Sequence, residues 1–334
     1  MSRSKKLNLL KIIPGLLISA FFLWRTFRGI SAEHIRSLRI VSPIWIIALV
    51  AFSIASYTLR TLRWKRMMRS VGTSFATCGR VLMTSLAANN ILPLRIGDIM
   101  RIFTYAPDLG ATPTFVLSTL ILEKLLDIFA LGLFFTLTLA PGVPTSLRTG
   151  AHIAVITSGL GLAVLIFGAR SLQAPLTALF KRLPHHRVTD KLEHWILLAL
   201  ECIRNIGVVG TCLLFAETLA IWTVEACVFL SAARILGLVS DSLGPWNAVA
   251  AVNLSFLIPS SPGGIGPFEA AAQKSLVSHG ANPAQAALFG LALHVWMLVT
   301  ITAVGGGLFL VHRYHRATRR PLLNEIETLP AELP

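Results

Sequence analysis

This sequence is short of charge. Only 13% of its 334 residues are Asp, Glu, Lys or Arg, 54% are hydrophobic, and the mean hydropathy is +0.70. A soluble domain of this length could not hide that much apolar surface, which excludes the soluble globular classes and points to a polytopic membrane protein. Cysteine is scarce as well. Cys78, Cys202, Cys212 and Cys227 show no C-x-x-C spacing, so neither a disulfide framework nor a zinc site is indicated. Acids number 15 against 30 bases, for a formal charge of +15. In a soluble chain that balance would suggest nucleic acid. Here the bases cluster between apolar runs, where topology and anionic headgroups account for them, and no nucleic-acid partner is expected. No nucleotide-binding motif is found, nor any His, Cys or metal cluster near the motifs below, so neither a cofactor nor a metal is expected. The basic, then apolar, N-terminus lacks an A-x-A cleavage site and reads as an uncleaved first helix.

What is present is a series of long apolar runs. Six segments, at roughly 7–24, 43–60, 113–140, 149–168, 208–233 and 284–311, match the ~20 helical residues that cross a bilayer. Basic clusters at 2–6, 60–69, 170–191 and in the C-terminal tail place both termini in the cytoplasm, with the basic-poor loops at 141–148 and 235–245 opposite. The loop 25–42, with Arg25, Arg28, Arg36 and Arg39, runs against this count; an amphipathic helix lying at the interface would account for it. Residues 170–194 read as a basic interfacial helix or loop.

This topology makes 72–112 begin and end on one side, and 243–282 begin and end on the other. Each is moderately apolar and then breaks at Pro and Gly, the pattern of a re-entrant hairpin. The breaks share P-x-x-I-G, at Pro93–Gly97 and Pro262–Gly266, 169 positions apart. G-A-x-P follows each, at Gly110–Pro113 and Gly280–Pro283, 170 positions apart, where Thr112 and Asn282 suit an N-cap and the prolines suit the first helical position. Convergent helix-start grammar could produce such matches. Two ordered matches at near-constant offset favour an internal repeat, of halves about 72–140 and 243–311, in opposite orientation. The expected fold is therefore an all-α polytopic membrane protein with about six full spans plus two oppositely oriented re-entrant helical hairpins. Residues 1–311 form one transmembrane domain, and 312–334 a cytoplasmic, disordered tail.

Charges inside the spans mark function or locks. Glu123 and Asp127, four apart, share a helix face, and Glu123 or Asp127 is expected to pair with Arg95 or Arg101 of the first hairpin. The same arginines could instead hold a lipid phosphate. Glu217 and Glu225 fall within about 80° of each other round a helix and could line a polar cavity or carry protons; interfacial capping is the blander role for Glu225. Asn89, Asn90 and Asn253 could satisfy freed backbone at the tips. Asp98 adds a carboxylate to the first tip. In the second hairpin, Pro259, Pro262, Gly263, Gly264 and Gly266 expose backbone before a helix that restarts at Pro267 with Glu269 in its first turn. Such a start could bind an anion, Glu269 could satisfy those donors itself, or the glycines could serve as a hinge. Pro93 and Gly97 are the matching hinge of the first hairpin. His312 and His315 have no acidic or Cys partner nearby, and no metal is assigned to them.

The motifs together, N-x-x-P-x-R-x-G-[DE]-x-x-R, then E-[RK]-x-x-D, then P-x-x-P-G-G-x-G-x-x-E, resemble the flippase-like transmembrane domain of lysylphosphatidylglycerol synthases and its stand-alone relatives. The matching positions are Asn90, Pro93, Arg95, Gly97, Asp98, Arg101, Glu123, Asp127, Pro259, Pro262, Gly263, Gly264, Gly266 and Glu269. Asp98 and Lys124 stand where Glu and Arg are commoner, and Lys124 lacks the planar fork of Arg. Bifunctional members carry a soluble domain that transfers lysine from charged tRNA to phosphatidylglycerol, and no such domain fits this chain. The resemblance implies the lipid-translocating part, in a bacterial cytoplasmic (inner) membrane. The implied partners are membrane lipids (anionic phospholipid, glycolipid or hopanoid) and a possible second copy of the chain. The headgroup or cavity residues would be Asn90, Arg95, Asp98, Arg101, Glu123, Asp127, Glu217 and Glu269. A membrane-embedded lipid-modifying transferase and a non-transporting lipid-binding scaffold are the alternatives.

Overall fold

The computed structural model describes residues 3–31, 33, 36, 40–169, 171–182, 186–238 and 241–327. Every long element among them is a helix: α1 (Arg3–Phe27), α2 (Ile44–Met67), α3 (Phe75–Ile91), α4 (Pro113–Leu137), α5 (Thr145–Gly168), α6 (Gln173–Phe180), α7 (Arg187–Ile206), α8 (Val208–Ile235), α9 (Leu243–Ser255), α10 (Pro267–Ser278) and α11 (Pro283–Glu327). By length and composition, four stretches can cross a membrane: Ile44–Met67, Arg148–Gly168, Val208–Ile235 and Pro283–Thr318. α4 has 25 residues but carries Glu123, Lys124 and Asp127. The chain is an all-α polytopic membrane protein.

Local chemistry explains where the helices begin. The Ser74 hydroxyl accepts the Thr77 amide at 3.1 Å and starts α3. Thr112 accepts from Phe115 N–H at 3.3 Å, with Pro113 first in α4. Asn282 accepts from Ala284 N–H at 2.9 Å, with Pro283 first in α11. Both G-A-x-P motifs therefore act as helix starts, since an N-cap oxygen satisfies an orphan amide and proline gives up a donor that would be unpaired anyway.

Two segments depart from the sequence expectation. The second apolar run does not stop near residue 60: α2 continues to Met67 and takes Arg63 and Trp64 inside the bundle. The segment expected as a disordered tail continues α11 as helix through Glu327. The expected interfacial helix over 25–42 falls largely outside the described residues.

The breaks are backbone events. Between α3 and α4, Pro93–Arg95 makes one 3₁₀ turn, Ile96–Ile99 one α turn and Met100–Thr104 one π turn. Leu94 and Arg95 hold φ of 60° and 53°, a region seldom used by residues with a side chain. Between α9 and α10, Gly263, Gly264 and Gly266 hold φ of 71°, 75° and 100°. The turn residues Leu94 and Arg95 are exposed, whereas Gly264 and Gly266 are buried. The difference has a visible cause: α1 packs on α10, and the Ser19 hydroxyl accepts the Ser261 amide at 2.9 Å.

Packing crosses between each broken segment and the helix that follows the other. α11 lies along α3, α9 lies against α4, and α2 pairs with α8. Helices in lipid gain little hydrophobic drive from touching, so close approach over small residues does the work. Ala248, Ala250, Ala272, Ala286 and Ala287 are all fully buried. Two apolar clusters result, one around Phe229, Val249, Phe268 and Phe289, the other around Trp64, Val81, Leu122 and Ile203. Asp127 sits between Leu126 of the second cluster and Ala130 of the first.

Candidate functional site

A charged ladder runs up the centre of the molecule. α2 presents Arg60, Arg63 and Arg66 at three-residue spacing, which places them along one helix face. Arg63 is 1% exposed and forks onto Asp127 of α4, at 2.7 Å and 3.3 Å, while its Nη1 also donates to the Thr218 hydroxyl of α8 at 2.8 Å. Trp222 donates its indole N–H to the same Asp127 oxygen at 3.2 Å. Above and below, Arg60 pairs with Glu225 at 3.4 Å and Arg66 with Glu217 at 2.7 Å. The Ser56 hydroxyl also donates to Glu225. Two indole faces complete the cage: Trp222 lies 4.6 Å below the Arg60 guanidinium, and Trp64 lies 3.7 Å from that of Arg101.

Arg101 reaches this ladder from the π turn, a local widening of the kind that recurs at functional sites. It is 2% exposed and forks onto Glu123 at 2.9 Å and 3.4 Å. Lys124, half exposed, stands 3.7 Å from the same carboxylate. The fully buried members, Arg63 and Arg101 against Glu123 and Asp127, balance in charge, which is how buried charge is tolerated in a membrane. The expected pairing of Glu123 with an arginine of the first broken segment is present, through Arg101. Arg63 has no distinct signal in the sequence: its trace is the R-x-x-R-x-x-R spacing inside a cluster that a count of Lys and Arg assigns to topology.

Arg95 goes elsewhere. Its exposed guanidinium donates to the Phe256 carbonyl of the opposite tip at 2.9 Å, so it meets neither Glu123 nor Asp127. Asn89 clamps the first tip, donating to the Asp98 carboxylate at 3.0 Å and accepting from the Asp98 amide at 3.3 Å. Asn90 reaches Thr302 of α11 at 3.3 Å, and Asn253 bonds back to Val249 of its own helix at 2.8 Å. Pro93 and Pro262 are half-buried and Pro259 is exposed.

The second tip is closed to an anion in this arrangement. Glu269, 2% exposed, fills the Gly266 N–H itself at 2.7 Å, the capping role that competes with anion binding. A histidine also stands at this motif, contrary to the sequence reading: His294 of α11 lies 2.7 Å from Glu269. Its sequence signal was one imidazole inside an apolar run, 25 positions from its partner. The glycines at the two breaks are tightly packed. A Cβ on Gly97 would lie 1.9 Å from the Ser85 carbonyl oxygen, and one on Gly266 would lie 2.6 Å from that of Ser19. An open cavity of about 770 Å³ lies away from both tips, beside Gln173, Arg204 and Asn205.

Comparison with known proteins agrees with this picture of a membrane domain. The chain is 24% identical to "Glycosyltransferase AglD" of Haloferax volcanii, over 88% of this chain and 53% of that protein. It thus spans about half the length of the curated relative it matches. No solved structure matches. The model of the family described as "Lysylphosphatidylglycerol synthase TM region" matches residues 12–305. The chain, with its two broken motifs and its buried arginine–carboxylate ladder, belongs to that family.

Proposed function

We propose that the protein is a lipid flippase, passing an anionic phospholipid or a related lipid across the bilayer at the seam between two re-entrant hairpins. One observation carries this reading: Arg95 is exposed at the first tip and is bonded to a carbonyl of the second. A carbonyl occupies one N–H of a guanidinium that has five, so the fork retains donors for a phosphate. Arg63 and Arg101, by contrast, are buried against internal carboxylates and act as locks. Lys124 adds a half-exposed cation beside Glu123.

Re-entrance is supported by length. α3, α9 and α10 have 17, 13 and 12 residues, about 25, 20 and 18 Å at the helical rise, short of a ~30 Å hydrocarbon core. The inverted repeat of 72–140 and 243–311 is supported by the crossed packing, in which the helix after each hairpin lies on the leading leg of the other. The basic clusters support cytoplasmic termini in a bacterial inner membrane, and no step requires a nucleotide.

Vesicle reconstitution with labelled lipids tests the reading. Scrambling of phosphatidylglycerol should exceed that of protein-free vesicles; equal rates sink it. Arg95→Ala should slow scrambling about tenfold, the size of one lost charge-assisted contact, with an unchanged thermal midpoint. A membrane-embedded transferase is the second reading, favoured by the likeness to a protein named as a glycosyltransferase. It requires covalent change in a lipid incubated with the purified protein, which mass spectrometry would detect.

A further inference from the structure

The ladder does not use the buried acid–imidazole pair that joins the second hairpin to α11. His294 and Glu269 are each 2% exposed, and the imidazole stacks on the Phe268 ring at 3.9 Å and 10°. Both ring nitrogens face oxygen acceptors. Nδ1 lies 2.7 Å from Glu269 Oε1, and Nε2 lies 3.0 Å from the Gly263 carbonyl. A neutral imidazole has one N–H and satisfies one of these oxygens; an imidazolium satisfies both. The second Glu269 oxygen accepts the Gly266 amide. One acid–imidazole pair therefore ties both ends of the turn Gly263–Gly266, which holds three positive-φ glycines.

That turn is part of the seam. A Cβ on Gly263 would stand 3.5 Å from the Asn90 carbonyl oxygen of the first hairpin. The groups facing it from neighbouring elements do not titrate: Ser19 of α1, Phe256 after α9, Phe229 of α8 and Asn90 of α3. Among the described residues, neither Glu269 nor His294 makes another ion pair within 4.0 Å. Across the seam the first tip carries Arg95, held on the Phe256 carbonyl, and Asp98, held by Asn89, and Lys274 on α10 is exposed.

We propose that Glu269 and His294 form a proton-binding site whose occupancy sets the second hairpin. With the proton bound, imidazolium donates to both oxygens and the turn is closed. On loss of one proton to water, the remaining N–H stays with the carboxylate, the stronger acceptor. The Gly263 carbonyl is released, and the tip loosens against Asn90 and Arg95. Proton movement and lipid movement thereby share one element; this coupling rests on the flippase reading above, whereas the proton site does not.

Hydrogen–deuterium exchange on the whole protein in phosphatidylglycerol nanodiscs tests the site, from about pH 5 to 8, where imidazoles titrate. After correction for intrinsic rates, residues 258–268 should open roughly tenfold more readily at the upper end, the size of one lost bond to a buried acceptor. Glu269→Gln should leave the segment fast-exchanging throughout, and His294→Gln should flatten the profile. His279, whose ring nitrogens also face two acceptors, is the control, and His279→Gln should leave the profile of 258–268 intact. A flat wild-type profile, or one that survives both changes at the pair, overturns the proposal. Scrambling of labelled phosphatidylglycerol, measured on the same samples, should follow the same pH window. An exchange transition without scrambling at any pH sinks the flippase reading and leaves the proton site standing. Scrambling that ignores the window sinks the coupling.

Discussion

Truncating Arg63 strands Asp127 in the bundle with Trp222 as its one remaining donor among the described residues, because the fork that neutralises the carboxylate is gone. Removing one member of a buried pair costs about 3–5 kcal/mol, while replacing both by apolar groups of similar volume is often neutral. Arg63→Ala is therefore expected to lower the thermal midpoint in detergent sharply, and the double change Arg63→Met with Asp127→Leu to recover most of it. A single variant as stable as wild type would remove the lock from the ladder. At this scale the sequence was only partly legible. Glu123 and Asp127 stood out because acids are rare in apolar runs. Arg63 did not, because a buried paired base and a topological base look alike in a count of Lys and Arg. His294 was silent because its partner lies on another helix.

Helix starts were the most legible elements, since capping is decided within four residues. The interiors of the breaks were not, because a π turn at Met100–Thr104 and a left-handed Leu94 answer to tertiary packing rather than local preference. Gly266 illustrates that dependence. Its φ of 100° and the Ser19 carbonyl both exclude a side chain, so Gly266→Ala is expected to cost at least about 2 kcal/mol and to loosen α1 from α10. Protease sensitivity after Trp24 would report it. At the start of α9, Asp241 accepts the Leu243 amide at 2.8 Å and faces His279 at 2.6 Å. Burial pushes its carboxyl up, but the amide and the imidazole outweigh it and hold the carboxyl below its usual range. A depressed carboxyl stabilises the fold above its unfolded value and loses that contribution as pH falls through the lowered folded value. The gap in melting temperature between wild type and Asp241→Asn should accordingly be level near neutrality and close below about pH 4. A gap that widens in acid contradicts the assignment.

Hydropathy identified a polytopic chain but could not say which helices touch. The pairing of α2 with α8 and the exchange of α3, α4, α9 and α11 depend on contacts more than a hundred residues apart. Sidedness makes the whole arrangement testable. In a cysteine-free background, Arg69→Cys and Thr114→Cys should react with an impermeant thiol reagent from one side of the membrane. Leu243→Cys and Gln285→Cys should react from the other. Labelling of either pair from both sides would turn that hairpin into a crossing and dissolve the inverted repeat.

The two tips differ in what backs them. The second has its turn buried beneath α1, with Ser19 seated on Ser261, while the first shows Leu94 and Arg95 to the surroundings. In mechanical language the pair is a mismatched vise: one jaw is bare backbone under a covering helix, and the other presents a cation. A symmetric vise would treat its two sides alike; this one offers the bilayer two unlike faces.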